Sequence, residues 1–130
     1  MPIPLLITLG FHMAGALFWL LTSLVAGFGG NPAMSTRLFR PQMVAATVAV
    51  FSGGGLWSML HPGAFQAAEM VLAAGAVLAI AAAGVQGALV GVGVRRLPDP
   101  AAEARVVLGQ KIAAVLLVLA LACMLAARHV

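Results

Sequence analysis

The sequence predicts an all-α membrane protein in which four transmembrane helices form one bundle. Hydrophobic residues make up 63% of the chain, charged residues only 8%, and the mean hydropathy is +1.11. A soluble domain is about half apolar and about one quarter charged. The apolar residues also fall into four long runs, and each run can cross a hydrocarbon core of ~30 Å at ~1.5 Å per residue.

Each apolar run is assigned to one helix. The first contains no charged residue, and the second ends at the helix-breaking step Pro62-Gly63. The third stops before Pro98, and the fourth carries Gln110 and Lys111 as the polar interruptions of its first turns. The predicted helices cover residues 3–28, 42–60, 67–94 and 106–128 of a single transmembrane domain spanning 1–130.

Basic residues are concentrated in the two connectors that lie on one side of the predicted bundle. They are Arg37 and Arg40 between helices 1 and 2, and Arg95, Arg96 and Arg105 between helices 3 and 4. The positive-inside rule places both connectors in the cytoplasm, so both termini are expected outside the inner (cytoplasmic) membrane. This explains the net charge of +4 without a nucleic-acid partner. The expected partners are lipid and either other membrane subunits or further copies of this chain.

The polar residues do not form a hydrolytic site. The acids are Glu69, Asp99 and Glu103, and the sequence contains no Walker loop, HExxH motif or dinucleotide fingerprint. The single Cys123 excludes a disulfide within one chain. No catalytic residue is predicted, and any activity of the chain would be that of an oxidoreductase.

Small and polar residues inside the helices indicate how the bundle packs. Gly84, Gly87 and Gly91 recur along helix 3, and residues 53–55 of helix 2 are all glycine. Glycine at such positions permits close helix contact or makes room for a flat cofactor such as haem. Gln86 is expected to face a neighbouring helix, because an unpaired amide is costly in lipid.

The three histidines are predicted to lie in the outer half of the bundle. His12 is two turns into helix 1, with Trp19 on the same face, while His61 and His129 end helices 2 and 4. Imidazole binds haem iron, copper or zinc, and methionine thioethers suit haem iron and Cu(I). The candidate metal ligands are therefore His12, His61, His129, Met13 and Met59. The alternative is that the methionines fill apolar space and that His61 and His129 are interfacial residues.

Three segments resemble a known family. FHMAGALFWLLTSLVAG contains His12 seven residues before Trp19, and the stretch from Arg37 to Trp57 opens with basic residues and ends in Gly-Leu-Trp. GQKIAAVLLVLALACMLAARH carries Lys111 near its start. These segments, about half of the chain, resemble the copper-resistance D type and HemJ-type four-helix membrane proteins. The resemblance implies a bundle that handles b-type haem or copper, with His12 and Lys111 as the positions carried over.

Two functions follow as hypotheses. The first is a small membrane protein that binds b-type haem or copper near the outer face, in electron transfer or metal handling, with His12, His61, Trp19 and Lys111 around the cofactor. The second is a non-catalytic accessory subunit of a larger respiratory membrane complex, of the haem-copper oxidase or nitric-oxide-reductase type. For Lys111 the alternative to a cofactor role is that its side chain snorkels to the membrane surface.

Overall fold

The computed structural model describes residues 2–63 and 65–130, and within them the chain forms four long helices and no strand. All four are long and apolar enough to cross a membrane, so the predicted four-helix, all-α fold is confirmed and the chain is a multi-pass membrane protein. The helices are α1 (Ile3–Phe28), α2 (Ala33–Leu60), α3 (Ala67–Val85) and α4 (Pro100–Ala126).

Two helices begin earlier than predicted. Helix α2 starts at Ala33 instead of 42, and α4 starts at Pro100 instead of 106. The first connector is thus only residues 29–32, where Gly30 has a φ of +84° that favours glycine. The prediction took arginine and proline as signs of a connector. Water and headgroups solvate charged residues on a helix that extends beyond the hydrocarbon, and membrane helices tolerate an internal proline such as Pro41.

Local sequence fixes the other helix ends. Pro100 occupies the first turn of α4, where its missing N–H costs nothing. Helix α3 begins with a capping box in which Gln66 and Glu69 each bond the other's backbone N–H. Beyond Val85 the helix continues through a π-helical segment, Gln86–Gly91, and ends in a short 3-10 turn.

Sequential helices pack antiparallel through small residues. Gly15 of α1 lies against the backbone of Ala45 on α2, where an added Cβ would be 3.1 Å from the carbonyl oxygen. Gly75 of α3 meets Ala120 of α4 in the same way, at 3.2 Å. Lipid does not drive apolar helices together, so such close approaches provide much of the attraction.

The bundle closes between α1 and α4. Gly27 of α1 lies against the backbone of Lys111, where an added Cβ would be 3.0 Å from the nitrogen. Helices α2 and α3 make fewer contacts, among them the ring of Phe39 against Gly91. We call the end of the bundle that holds the arginines of residues 37–40 and 95–105 the basic end, and the opposite end, at His61, the histidine end.

Candidate functional site

The interior of the bundle is crossed by a chain of buried polar side chains, which we call the amide network. All four helices contribute to it, and each of its members is almost fully enclosed. Its members are Trp19 and Ser23 on α1, Ser35 and Gln42 on α2, Gln86 at the start of the π-helical segment, and Gln110 on α4.

Gln86 joins α1 to α4. Its Oε1 accepts a hydrogen bond from the indole N–H of Trp19. Its Nε2 donates to Ser23 Oγ at 2.8 Å and to Gln110 Oε1 at 2.9 Å. The expectation that Gln86 faces a neighbouring helix is therefore confirmed.

Gln110 is the centre of the network. Its Nε2 donates to Ser35 Oγ at 3.1 Å and to Gln42 Oε1 at 3.0 Å. Its Oε1 accepts from Gln42 at 3.2 Å as well as from Gln86. A primary amide has two donors and two acceptor positions, so Gln110 is saturated.

One donor sets the direction of the whole chain of bonds. The indole N–H of Trp19 can only donate, so the atom of Gln86 that meets it must be the oxygen. The nitrogen of Gln86 then faces Gln110, which must present its own oxygen, and the nitrogen of Gln110 is left for Ser35 and Gln42. The network therefore specifies one arrangement of four helices.

The polar atoms of the network are engaged with one another. In the described residues every enclosed side-chain nitrogen and oxygen has a hydrogen-bond partner. Sequence reasoning identified Gln86 and Trp19 but missed Ser23, Ser35, Gln42 and Gln110. The sequence does contain a signal for this network, because the apolar runs of α2, α3 and α4 each hold one glutamine.

His12 lies between α1 and α2 in a half-buried position. Its Nδ1 is 2.9 Å from the carbonyl oxygen of Ala49, and a carbonyl only accepts, so Nδ1 carries the proton. Its ring also lies against Gly53, where an added Cβ would come within 3.1 Å of Cε1. Nε2 makes no hydrogen bond to the described residues. Every enclosed side-chain nitrogen among those residues does have a partner, so Nε2 is not enclosed. The unprotonated nitrogen is therefore accessible from the surface of the bundle.

His61 has a different partner. Its Nδ1 lies 2.7 Å from Glu69 Oε1, which links the end of α2 to the first turn of α3. The ring of Trp57 packs beside it, with centroids 5.7 Å apart. The ring of His12 contacts α2 at Gly53. His61 lies eight residues further along the chain, which corresponds to ~12 Å along the helix axis at ~1.5 Å per residue. Each histidine thus has its own partner, Ala49 for His12 and Glu69 for His61.

The remaining predicted ligands are dispersed. Met13 and Met59 are 49% and 44% exposed, and His129 is exposed in the turn after α4. No group of three or more histidine, cysteine or acidic residues in the described part of the chain could hold a metal ion. Lys111 is exposed, with Nζ 5.7 Å from the ring centre of Phe28, and Trp19 is committed to Gln86.

Neither of the two best-defined cavities adjoins His12. One, of about 70 Å³, lies at the basic end beside Arg96 and Arg105, and the other is an open groove along residues 43–48 of α2. Sites for organic ligands usually have ~300–1,000 Å³, so the first is too small for a porphyrin. Among the described residues, His12 could hold a haem, and it would do so at the surface of the bundle.

Comparison of the chain with protein-family models, with curated proteins and with solved structures found no match. The assignment of function therefore depends on the residues themselves.

Proposed function

We propose that this chain is a small membrane protein that binds b-type haem through His12. The observation that carries the proposal is the orientation of the imidazole, whose Nδ1 is held by the Ala49 carbonyl while Nε2 stays free and accessible. Metal-bound histidines in proteins commonly donate their second ring nitrogen to a carbonyl in this way. Intramembrane histidines are also rare and generally functional.

Haem suits these residues better than copper. A single imidazole can hold a haem, and His12 would supply it. A copper site built from thioethers and imidazoles requires several ligands at once, and the methionine candidates Met13 and Met59 are directed away from the interior. When bound, the haem would supply one-electron chemistry, and His12 would hold it.

The test is the reduced-minus-oxidised visible spectrum of the protein purified in mild detergent. We expect a b-type band in the wild type and in His129→Ala, and its loss in His12→Ala. His129 is the matched control because it is an exposed histidine in the turn after α4, and the present proposal assigns the haem to His12. A flat wild-type spectrum would exclude haem, and copper found by elemental analysis would then support the metal-handling alternative.

We also propose a second function, that of a non-catalytic subunit of a larger respiratory membrane complex, because α3 and the π-helical segment after it carry a small-residue face that no other described residue covers. Ala81, Gly84, Gly87 and Ala88 are exposed, and a Cβ added at either glycine would meet nothing within 4 Å. Small residues on an outward face allow a further helix to approach closely.

Gentle extraction tests this second proposal. In native gels we expect the wild type to migrate with partner chains and Gly84→Leu to be released from them. The control is Gly10→Leu, since Gly10 of α1 is also open outward. A wild-type protein that migrates alone at the size of one chain would contradict the proposal.

The proposed orientation in the inner membrane has the basic end in the cytoplasm and both termini outside. Its support is the uneven distribution of arginine between the two ends of the bundle. We expect alkaline phosphatase fused after Val130 to be active and a fusion in residues 29–32 to be inactive. The reverse pattern would invert the orientation.

A further inference from the structure

The net charge of the chain is located at one end of the bundle. The basic end and its first helical turns hold six of the seven basic residues and two of the three acids. The histidine end has one of each, Arg128 and Glu69, so the net charge of +4 belongs entirely to the basic end. The basic residues there are Arg37, Arg40, Arg95, Arg96, Arg105 and Lys111.

The cavity of about 70 Å³ lies within this basic end. It is formed where the last turn after α3 meets the first turns of α4, and its lining includes Arg96 and Arg105 from the two sides. Ala101 and Ala102, in the first turn of α4, complete one wall. The N-terminal turn of a helix has unpaired N–H groups and a positive potential, which favour an anion.

The two guanidinium groups have no carboxylate partner. Among residues 2–63 and 65–130, the only acid–base contact within 4.0 Å is the one between His61 and Glu69. Asp99 also lines the cavity, and its carboxylate opposes the binding of an anion. Two arginines against one aspartate still leave the cavity with a positive charge.

We propose that this cavity binds the phosphate group of an anionic phospholipid. It lies at the basic end of the bundle, where we expect the helices to meet the headgroup layer, and basic pockets between helices at that depth recognise anionic headgroups. The planar fork of arginine matches two phosphate oxygens at once. Its volume suits a headgroup phosphate, while the acyl chains would lie along the apolar surface of the bundle.

Native mass spectrometry tests the site, with phosphatidylglycerol and phosphatidylcholine as probes. We expect the wild type to retain phosphatidylglycerol preferentially. The double variant R96Q/R105Q should weaken this binding by up to about 25-fold, since each direct ion pair between an exposed arginine and the phosphate contributes up to about fivefold. The control R37Q/R40Q makes the same change of charge at the same end and should weaken binding less than about threefold. If both double variants lost lipid binding equally, the attraction would come from the overall charge of this end and not from the cavity, and the proposal would be overturned.

Two further measurements keep the proposal testable if R96Q/R105Q does not fold. Asp99→Asn removes the opposing carboxylate, so phosphatidylglycerol should bind more tightly, and unchanged or weaker binding would contradict the site. Inorganic phosphate at millimolar concentration distinguishes the two sources of the anion. If it displaces the lipid from the wild type completely, the cavity is a site for free phosphate and the lipid assignment fails; if the lipid is retained, the assignment stands.

Discussion

Replacing Gln110 with leucine should destabilise the bundle more than any other single change in the amide network. Leucine is similar in size but apolar, so the substitution removes four hydrogen bonds with little change in packing. Gln86, Gln42 and Ser35 each lose a partner while remaining buried.

The magnitude follows from the number of bonds. Interhelical hydrogen bonds in a membrane protein average ~0.6 kcal/mol, so the four bonds of Gln110 predict a loss of about 2.4 kcal/mol in the free energy of unfolding. On the same scale Gln86→Leu, with three bonds, should cost about 1.8 kcal/mol, Gln42→Leu about 1.2 kcal/mol and Ser35→Ala about 0.6 kcal/mol. The order of the four variants is the sharper prediction, because it does not depend on the energy assigned to one bond.

Reversible unfolding in mixed micelles, followed by circular dichroism, measures these free energies. Thr47→Val is the control, because Thr47 is exposed and its hydroxyl bonds only to the Met43 carbonyl of its own helix. Its effect should stay within about 0.5 kcal/mol. If Gln110→Leu changed stability no more than Thr47→Val, the network would not hold the helices together and the reasoning would be refuted.

Other predictions concern helix contacts and the histidine end. Gly27→Ala should lower the free energy of unfolding by about 1–3 kcal/mol, because its Cβ would press on the backbone of Lys111. The control Gly84→Ala has open space around it and should change the stability of the isolated chain by less than about 0.5 kcal/mol. Equal effects of the two substitutions would argue against this packing. Glu69→Gln should weaken the link to His61 and speed hydrogen exchange in the first turn of α3, whereas exchange unchanged from the wild type would show that the contact does not hold that turn.

The sequence predicted the four helices because hydropathy over some twenty residues is a local property. The starts of α2 and α4 were predicted too late because charge and proline signal the limit of the hydrocarbon core rather than the limit of the helix. Ser35 illustrates the difference. It lies in the first turn of α2, beyond the predicted span, yet it is fully buried and bonded to Gln110.

The amide network was harder to predict for a geometric reason. Hydropathy periodicity gives the face of a helix, but it does not say which residues of distant helices reach the same depth. Gln42 and Gln110 meet across the bundle, in which Gly27 lets α1 approach α4 closely and Gly15 does the same for α1 and α2. The histidine ligand set was proposed on the assumption that a shared end means a shared site. In the structure the two histidines have different partners, Ala49 for His12 and Glu69 for His61, so a site that they share stays a prediction.

The π-helical segment from Gln86 to Gly91 joins α3 to the turn beyond it. An extra residue in an α-helix would turn everything beyond it by about 100°. A π turn holds an extra residue and accommodates it locally, so the residues on either side keep the faces that they would have in an α-helix one residue shorter. Deleting Gly87 should therefore give an unbroken α-helix in which Gln86 stays in the amide network and Val90 stays buried against Gly109.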